Sequence, residues 1–274
     1  RRARGGKRLV VLGAAGAMGS WLHGFLESIG HQVEGVDTAW KGLPPAKGRC
    51  AALEEVENLD GIDGLFVSTP LDTTVEVLYD LAGRGITAPI FEIASIKSHL
   101  AESLMRLREV AGPVYSIHPM FGPGKSPYES LTVIHAVLAD EDAEREAILQ
   151  LLAHPYLNLI SMPFDRHDRI AGWLLGLSHL TGMLFATALS RSGANQRELE
   201  QVASTSFSRQ AATSRSVLEG NSRLFYSIQR LNPHRGAVYA ALNSALGELT
   251  GAVEGEDPEA FASTLARAEA MLPE

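Results

Sequence analysis

The chain of 274 residues contains one cysteine, Cys50. That count excludes an intrachain disulfide and a cysteine-based zinc site, and a reducing cytoplasm is the expected home. Lysine is absent after Lys125. Basic residues are also in deficit: 24 Lys+Arg face 32 Asp+Glu, for a net charge of −8. A chain so balanced has nothing broad to offset phosphate repulsion, so no nucleic-acid partner is expected. The only basic run, "RRARGGKR", reads as a short solvated arm over residues 1–7. "LVVLGAAGAMG" is too short and too glycine-rich for a signal peptide, and no run is expected to span a membrane, which takes about 20 apolar residues. His167-Asp168 and the scattered histidines lack the paired spacing of metal ligands, so no metal is expected. No tandem repeat is visible.

What is present divides into two textures. Up to about residue 163, the short β-branched runs "RLVVLG", "HQVEGVD", "GLFVST", "PIFEIAS", "PVYSIH" and "LTVIHAVLA" alternate with helical patterns. In one of these, Met18, Leu22, Phe25, Leu26 and Ile29 share a helical face. Strands alternating with helices predict βαβ units: a Rossmann-like, doubly wound parallel α/β sheet over residues 1–163. From residue 164 to 274 the pattern is helical. A helix around residues 166–191 is apolar on most sides, which suits a buried position in a bundle. Such a helix is solvent-hostile on a monomer, so the helical domain is expected to form a homodimer.

Between the first strand and the first helix, "VVLGAAGAMG" places Gly13, Gly16 and Gly19. The G-x-G-x-x-G fingerprint has Ala14 at its first position here, with Gly13 one residue early. Gly13 and Gly16 permit a tight turn and close approach of a pyrophosphate. Gly19 permits close helix–sheet packing, and the helix start at Ala17 and Met18 favours the anion. Asp37 ends the second strand, where a carboxylate hydrogen-bonds ribose hydroxyls and repels a 2′-phosphate; NAD is expected over NADP. Ser68, Thr69 and Pro70 of "VSTPLDTT" and Ser95 of "EIASIKSHL" fall at the carboxyl ends of later strands, where doubly wound sheets bind ligands. Thr69 and Ser95 also read as N-cap residues for the helices that follow.

"SIHPMFGPG" sets His118 before Pro119 and a Phe-Gly-Pro-Gly stretch. Proline restricts the backbone of the residue before it, so the imidazole is aimed rather than left to swing. A polar turn residue and a catalytic base both fit that frame.

The motifs "GAAGAMG", "DTAW", "STP", "ASIK", "HPMFGP", "RHD" and "SHL", in that order, resemble the prephenate dehydrogenase family from about Arg8 to Leu272. The resemblance implies a Rossmann-like domain with a helical dimerisation domain, and NAD-dependent oxidative decarboxylation of prephenate to 4-hydroxyphenylpyruvate on the route to tyrosine. It implies that His118 is the hydrogen-bond acceptor or general base on the ring hydroxyl, a task suited to an imidazole with an ordinary pKa of about 6.5. By the same resemblance, Ser95 orients substrate and nicotinamide, and His179 of "GLSHL" faces the cleft. Many relatives carry a second histidine three residues later; here that position is Gly182. The substrate is a dicarboxylate, which implies arginines from the helical domain: Arg215 matches the family position with a one-residue gap, and Arg209 is near it.

Arogenate and 4-amino-4-deoxyprephenate are alternative substrates for the same chemistry. A β-hydroxyacid dehydrogenase needs a lysine on the helical domain, which this chain lacks. An NAD-binding sensor without turnover is the non-enzyme alternative.

Overall fold

The β-branched runs form strands because their side chains pack on a pleated surface. In the computed structural model, residues 6–44 and 46–272 are described, and the greater part of the expected arm, residues 1–5, lies outside them. Lys7 is tied down: its backbone N–H donates to His31 Nδ1 at 3.2 Å and its ammonium meets Asp63 at 2.8 Å.

Among the described residues, eight strands form one sheet: β1 (Arg8–Leu12), β2 (Gln32–Val36), β3 (Arg49–Cys50), β4 (Gly64–Val67), β5 (Ile90–Glu92), β6 (Val114–Pro119), β7 (Leu131–Val137) and β8 (Leu157–Pro163). Their order is β3-β2-β1-β4-β5-β6-β7-β8, and every pair is parallel except β6 with β7. The order reverses between β1 and β4, and ligands of open α/β sheets bind at the strand carboxyl ends beside such a point. Helices α1 (Ala17–Ser28), α2 (Thr74–Arg84), α3 (Ala101–Val110) and α4 (Glu141–Leu152) connect the strands. Leu9, Val11, Leu26, Phe66, Phe91 and Ile117 form the core beneath α1.

The remaining helices are α5 (Phe164–Ala171), α6 (Ser178–Ser190), α7 (Gln196–Val202), α8 (Thr205–Leu218), α9 (Ser222–Leu231), α10 (Arg235–Glu254) and α11 (Pro258–Glu269), with a π-helical turn at Gly172–Leu177. The chain divides into two compact units. The first is Arg1–Ala171 with Gly220–Asn232; the second is Gly172–Glu219 with Pro233–Glu274. The fold is therefore Rossmann-like α/β with a helical C-terminal part.

Three expectations need correction. One helix, Phe164–Ser190, is long and apolar enough to cross a membrane by length and composition, with a mean window hydropathy of 1.3. Charged Asp165, Arg166, Asp168 and Arg169 mark its first turns, and they break up the run as read from the sequence alone. That helix is not buried by its own chain: Trp173, Leu174 and Leu184 are 42%, 54% and 45% exposed. Finally, neither Ser95 nor Thr69 caps a helix. Thr73 precedes α2 and Lys97 precedes the 3-10 turn Ser98–Leu100, both without a side-chain cap bond of their own.

Candidate active site

The turn after β1 requires its glycines. Gly13 has φ +78°, and a Cβ on it would lie 2.4 Å from the Ser68 carbonyl oxygen. A Cβ on Gly19 would lie 2.0 Å from the Gly13 oxygen, so α1 packs directly on the turn. Gly16 is the N-cap of α1 and supplies no side-chain cap, so the first-turn N–H groups at Ala17, Met18 and Gly19 face outward from the helix end. An anion fits that end. Asp37 closes the other side: its carboxylate accepts from Ala15 N and Ala39 N, each at 2.9 Å. Each oxygen keeps a second lone pair, which suits a ribose hydroxyl. Ser68 N donates to Leu12 O at 2.9 Å, which fixes the Ser68-Thr69-Pro70 loop beside the glycine turn. Asp72 in the same loop pairs with Arg223 of α9, and the guanidinium holds its carboxyl below the ordinary range.

His118 stands near the end of β6, paired with Ile134 across the antiparallel ladder, and is 3% exposed. The ladder, as well as Pro119, makes its frame stiff. The following loop is clamped from α1: Trp21 Nε1 donates to Lys125 O at 2.7 Å, and the Trp21 ring meets Phe121 at 4.8 Å between centroids.

Beneath His118 lies a buried polar chain. His118 Nδ1 is 2.9 Å from His167 Nε2, and His167 Nδ1 is 2.8 Å from Asp168 Oδ1. Asp168 Oδ1 also accepts from Lys97 N at 2.8 Å and Oδ2 from Ser98 N at 2.7 Å. Its backbone carbonyl accepts from Asn232 Nδ2 at 2.8 Å. The cap that Ser95 does not give to the turn after it therefore comes from Asp168, some seventy residues away.

With both rings neutral, these contacts fit one pair of tautomers. Burial alone would raise the Asp168 pKa, but the bonds from His167, Ser98 and Lys97 hold it at about 2, so it is ionised and accepts only. His167 Nδ1 must then be the donor, and neutral His167 offers Nε2 as an acceptor. His118 Nδ1–H donates to it, which leaves His118 Nε2 with a bare lone pair. Burial, then the neighbouring His167 and Lys97, push the His118 pKa well below the ordinary histidine value. Lys97 itself is fully buried, bonded to Glu92 Oε1 at 2.6 Å and Ile117 O at 2.7 Å, with Ser116 on the same Glu92 oxygen.

Such a site holds a neutral acceptor at the carboxyl edge of the sheet that carries the glycine turn. No protein-family model matches the chain. In sequence it is 28% identical over 283 aligned positions, covering 99% of this chain and 94% of the relative, to 4-amino-4-deoxyprephenate dehydrogenase of Streptomyces pristinaespiralis. The relatives are prephenate-type dehydrogenases. A protein named probable arogenate/prephenate dehydrogenase from Methanocaldococcus jannaschii is 22% identical over 265 positions, 94% of this chain; the chain spans only 59% of that relative's length. Among solved structures, prephenate dehydrogenase of A. aeolicus in complex with hydroxyphenyl propionate and NAD+ matches with a TM-score of 0.76 at 15% identity, covering 98% of each chain. Synechocystis arogenate dehydrogenase matches with a TM-score of 0.69 at 18% identity, covering 96% of this chain and 98% of the other. At these identities the solved structures establish the fold.

The other sequence-derived residues lie apart by unit. Ser95 is half-buried, two residues before Lys97, in the first unit. His179 on α6 and Arg209 and Arg215 on α8 belong to the second. Burial lowers the His179 pKa. Arg215 lines a cavity of about 680 Å³ within the helical unit with Phe185, Leu189, Phe207 and Leu218; Arg209 is exposed. Gly182 faces α8: a Cβ there would meet Val217 at 3.3 Å and Ser214 at 3.6 Å, so a side chain at this position must displace the Val217 methyl by a few tenths of an ångström. His167 and Asp168 were legible only as a motif, since spacing speaks to metals and not to a contact made across 49 residues.

Proposed function

We propose that the chain catalyses NAD-dependent oxidative decarboxylation of a prephenate-type dicarboxylate, with His118 Nε2 as the base on the ring hydroxyl. The observation that carries this reading is the bare lone pair of a buried, neutral imidazole at the edge of a dinucleotide-type sheet. NAD, held by Gly13, Gly16, Ala17, Met18, Gly19, Asp37 and the Ser68-Thr69-Pro70 loop, supplies the hydride acceptor. His118 draws the proton from the hydroxyl as the carbon beneath it gives up its hydride; loss of the ring carboxylate as CO2 then makes the ring aromatic. Ser95 orients the hydroxyl and the nicotinamide. His179, Arg215 and Arg209 are the substrate ligands on the helical unit, with the guanidinium groups taking the carboxylates.

Prephenate is the first substrate, in tyrosine formation. The amine analogue 4-amino-4-deoxyprephenate is the second reading, favoured by the Streptomyces relative's name and its 94% coverage. We further place the enzyme in the cytoplasm as a homodimer through its helical unit, since α6 leaves Leu184 45% exposed on its own chain.

The deciding assay follows NADH absorbance with prephenate, arogenate and 4-amino-4-deoxyprephenate in parallel. His118→Asn should lower turnover of the accepted substrate by at least about 100-fold, the range for a positioned general base, while NAD affinity stays within about 2-fold of wild type. Near-normal turnover in that variant would remove His118 from the chemistry. NAD binding without turnover of any of the three would favour the sensor.

A further inference from the structure

The base reading uses one imidazole, yet a second imidazole and a carboxylate are built behind it. We propose that His167 and Asp168 are positioning residues that hold His118 as its Nδ1–H tautomer and take inward, onto His167 Nε2, the proton that His118 borrows from the substrate. This deepens the proposed function and rests on it.

The geometry has the direction a relay needs. Asp168 is fixed at both oxygens by backbone N–H groups of Lys97 and Ser98, so it cannot turn away from His167. His167 is wholly buried, and its two ring nitrogens face one partner each. A proton arriving at His118 Nε2 would leave an imidazolium there with no carboxylate bonded to it, and the buried Lys97 ammonium opposes a charge on either ring. Passed one ring inward, the same charge lies 2.8 Å from the Asp168 carboxylate. The charged groups that act on the pair are Lys97 and Glu92 from the β5 side and Asp168 from α5. The two carboxylates favour the inner position, and Lys97 is itself paired with Glu92.

The bookkeeping of bonds is complete. The substrate O–H bond breaks and an N–H bond forms at His118 Nε2. The His118 Nδ1–H bond breaks and a bond forms at His167 Nε2. The electron pair left on oxygen closes a carbonyl as the hydride departs to NAD. When the C–CO2 bond breaks, its electrons aromatise the ring and the oxygen becomes a phenolate. The two transfers then reverse and the phenolate recovers its proton. No other acid, base or oxidant is required.

Two measurements test the relay. The first is 15N NMR of histidine-labelled wild-type protein with NAD, which needs no turnover. The Nδ1–H form at both His118 and His167 is expected, and an Nε2–H signature at resting His118 would overturn the proposal. The second is His167→Gln, whose amide oxygen accepts the His118 Nδ1–H but holds no proton. Its kcat should fall about 10- to 100-fold with KM for substrate and NAD within about 2-fold. The acid limb of its kcat/KM profile should move to lower pH, because the coupled site that stores the proton is gone. A wild-type pH profile in His167→Gln, with His118→Asn inactive, would reject the relay and keep the base. Activity in His118→Asn would instead reject the reading on which the relay rests. Should His167→Gln fail to fold, the wild-type tautomers alone decide.

Discussion

At the scale of the residue, the buried histidines and Asp168 make stability depend on pH in a direction that can be worked out. His118 and His167 have native pKa values below 6.5, mainly through burial, so the unfolded chain binds protons that the native chain refuses. Unfolding free energy therefore rises with pH in that window, and it falls as pH drops below about 6.5. Asp168 adds a second loss at lower pH. Its pKa goes from an ordinary 3.8 to about 2 on folding, so its contribution, roughly 2 kcal/mol, is present above 3.8 and lost as pH falls through about 2. Urea midpoints measured at pH 7.5, 6.0 and 4.5 should decline in that order. A flat series from 7.5 to 4.5 would mean that the histidines titrate normally and the polar chain is open to water.

At the scale of the element, the turn from β1 to α1 carries the sharpest geometric demand. Gly13→Ala places a methyl group 2.4 Å from the Ser68 oxygen at a φ of +78°, a strain of about 1–3 kcal/mol. The Ser68 loop must yield, and NAD affinity measured by calorimetry should weaken at least 10-fold. Unchanged affinity would take this turn out of the cofactor site. Much of this level was legible in the sequence. The six β-branched runs became β1, β2 and β4 to β7, and alternation with helices implied the parallel sheet. β3 escaped because two residues carry no pattern. β8, "LNLISMP", escaped because its burial does not alternate cleanly. His118 stood out through its rigid local frame, whereas its partners His167 and Asp168 depend on how α5 docks beneath β6, which no local period encodes.

At the scale of the whole molecule, the apolar helix is the outstanding feature. Only 22% of its most apolar window is buried by its own chain, and Trp173 and Leu174 stand 42% and 54% exposed. Faces of that kind mark contact sites for a protein or a membrane, and the proposed homodimer would cover this one with a second copy. Sedimentation equilibrium should give a mass of twice 29.4 kDa, and Leu184→Glu should shift the species toward the single-chain mass. A wild-type monomer at micromolar concentration would refute dimerisation through this face.

The proton chain from His118 to Asp168 lies wholly within the first unit, whereas His179, Arg209 and Arg215 lie in the second. Under the proposed function, substitutions that alter recognition of the substrate's side chain and carboxylates fall in one unit, whereas the ring hydroxyl or ring amine meets the tautomers set in the other. A lineage with this layout can change its diet while keeping its chemistry.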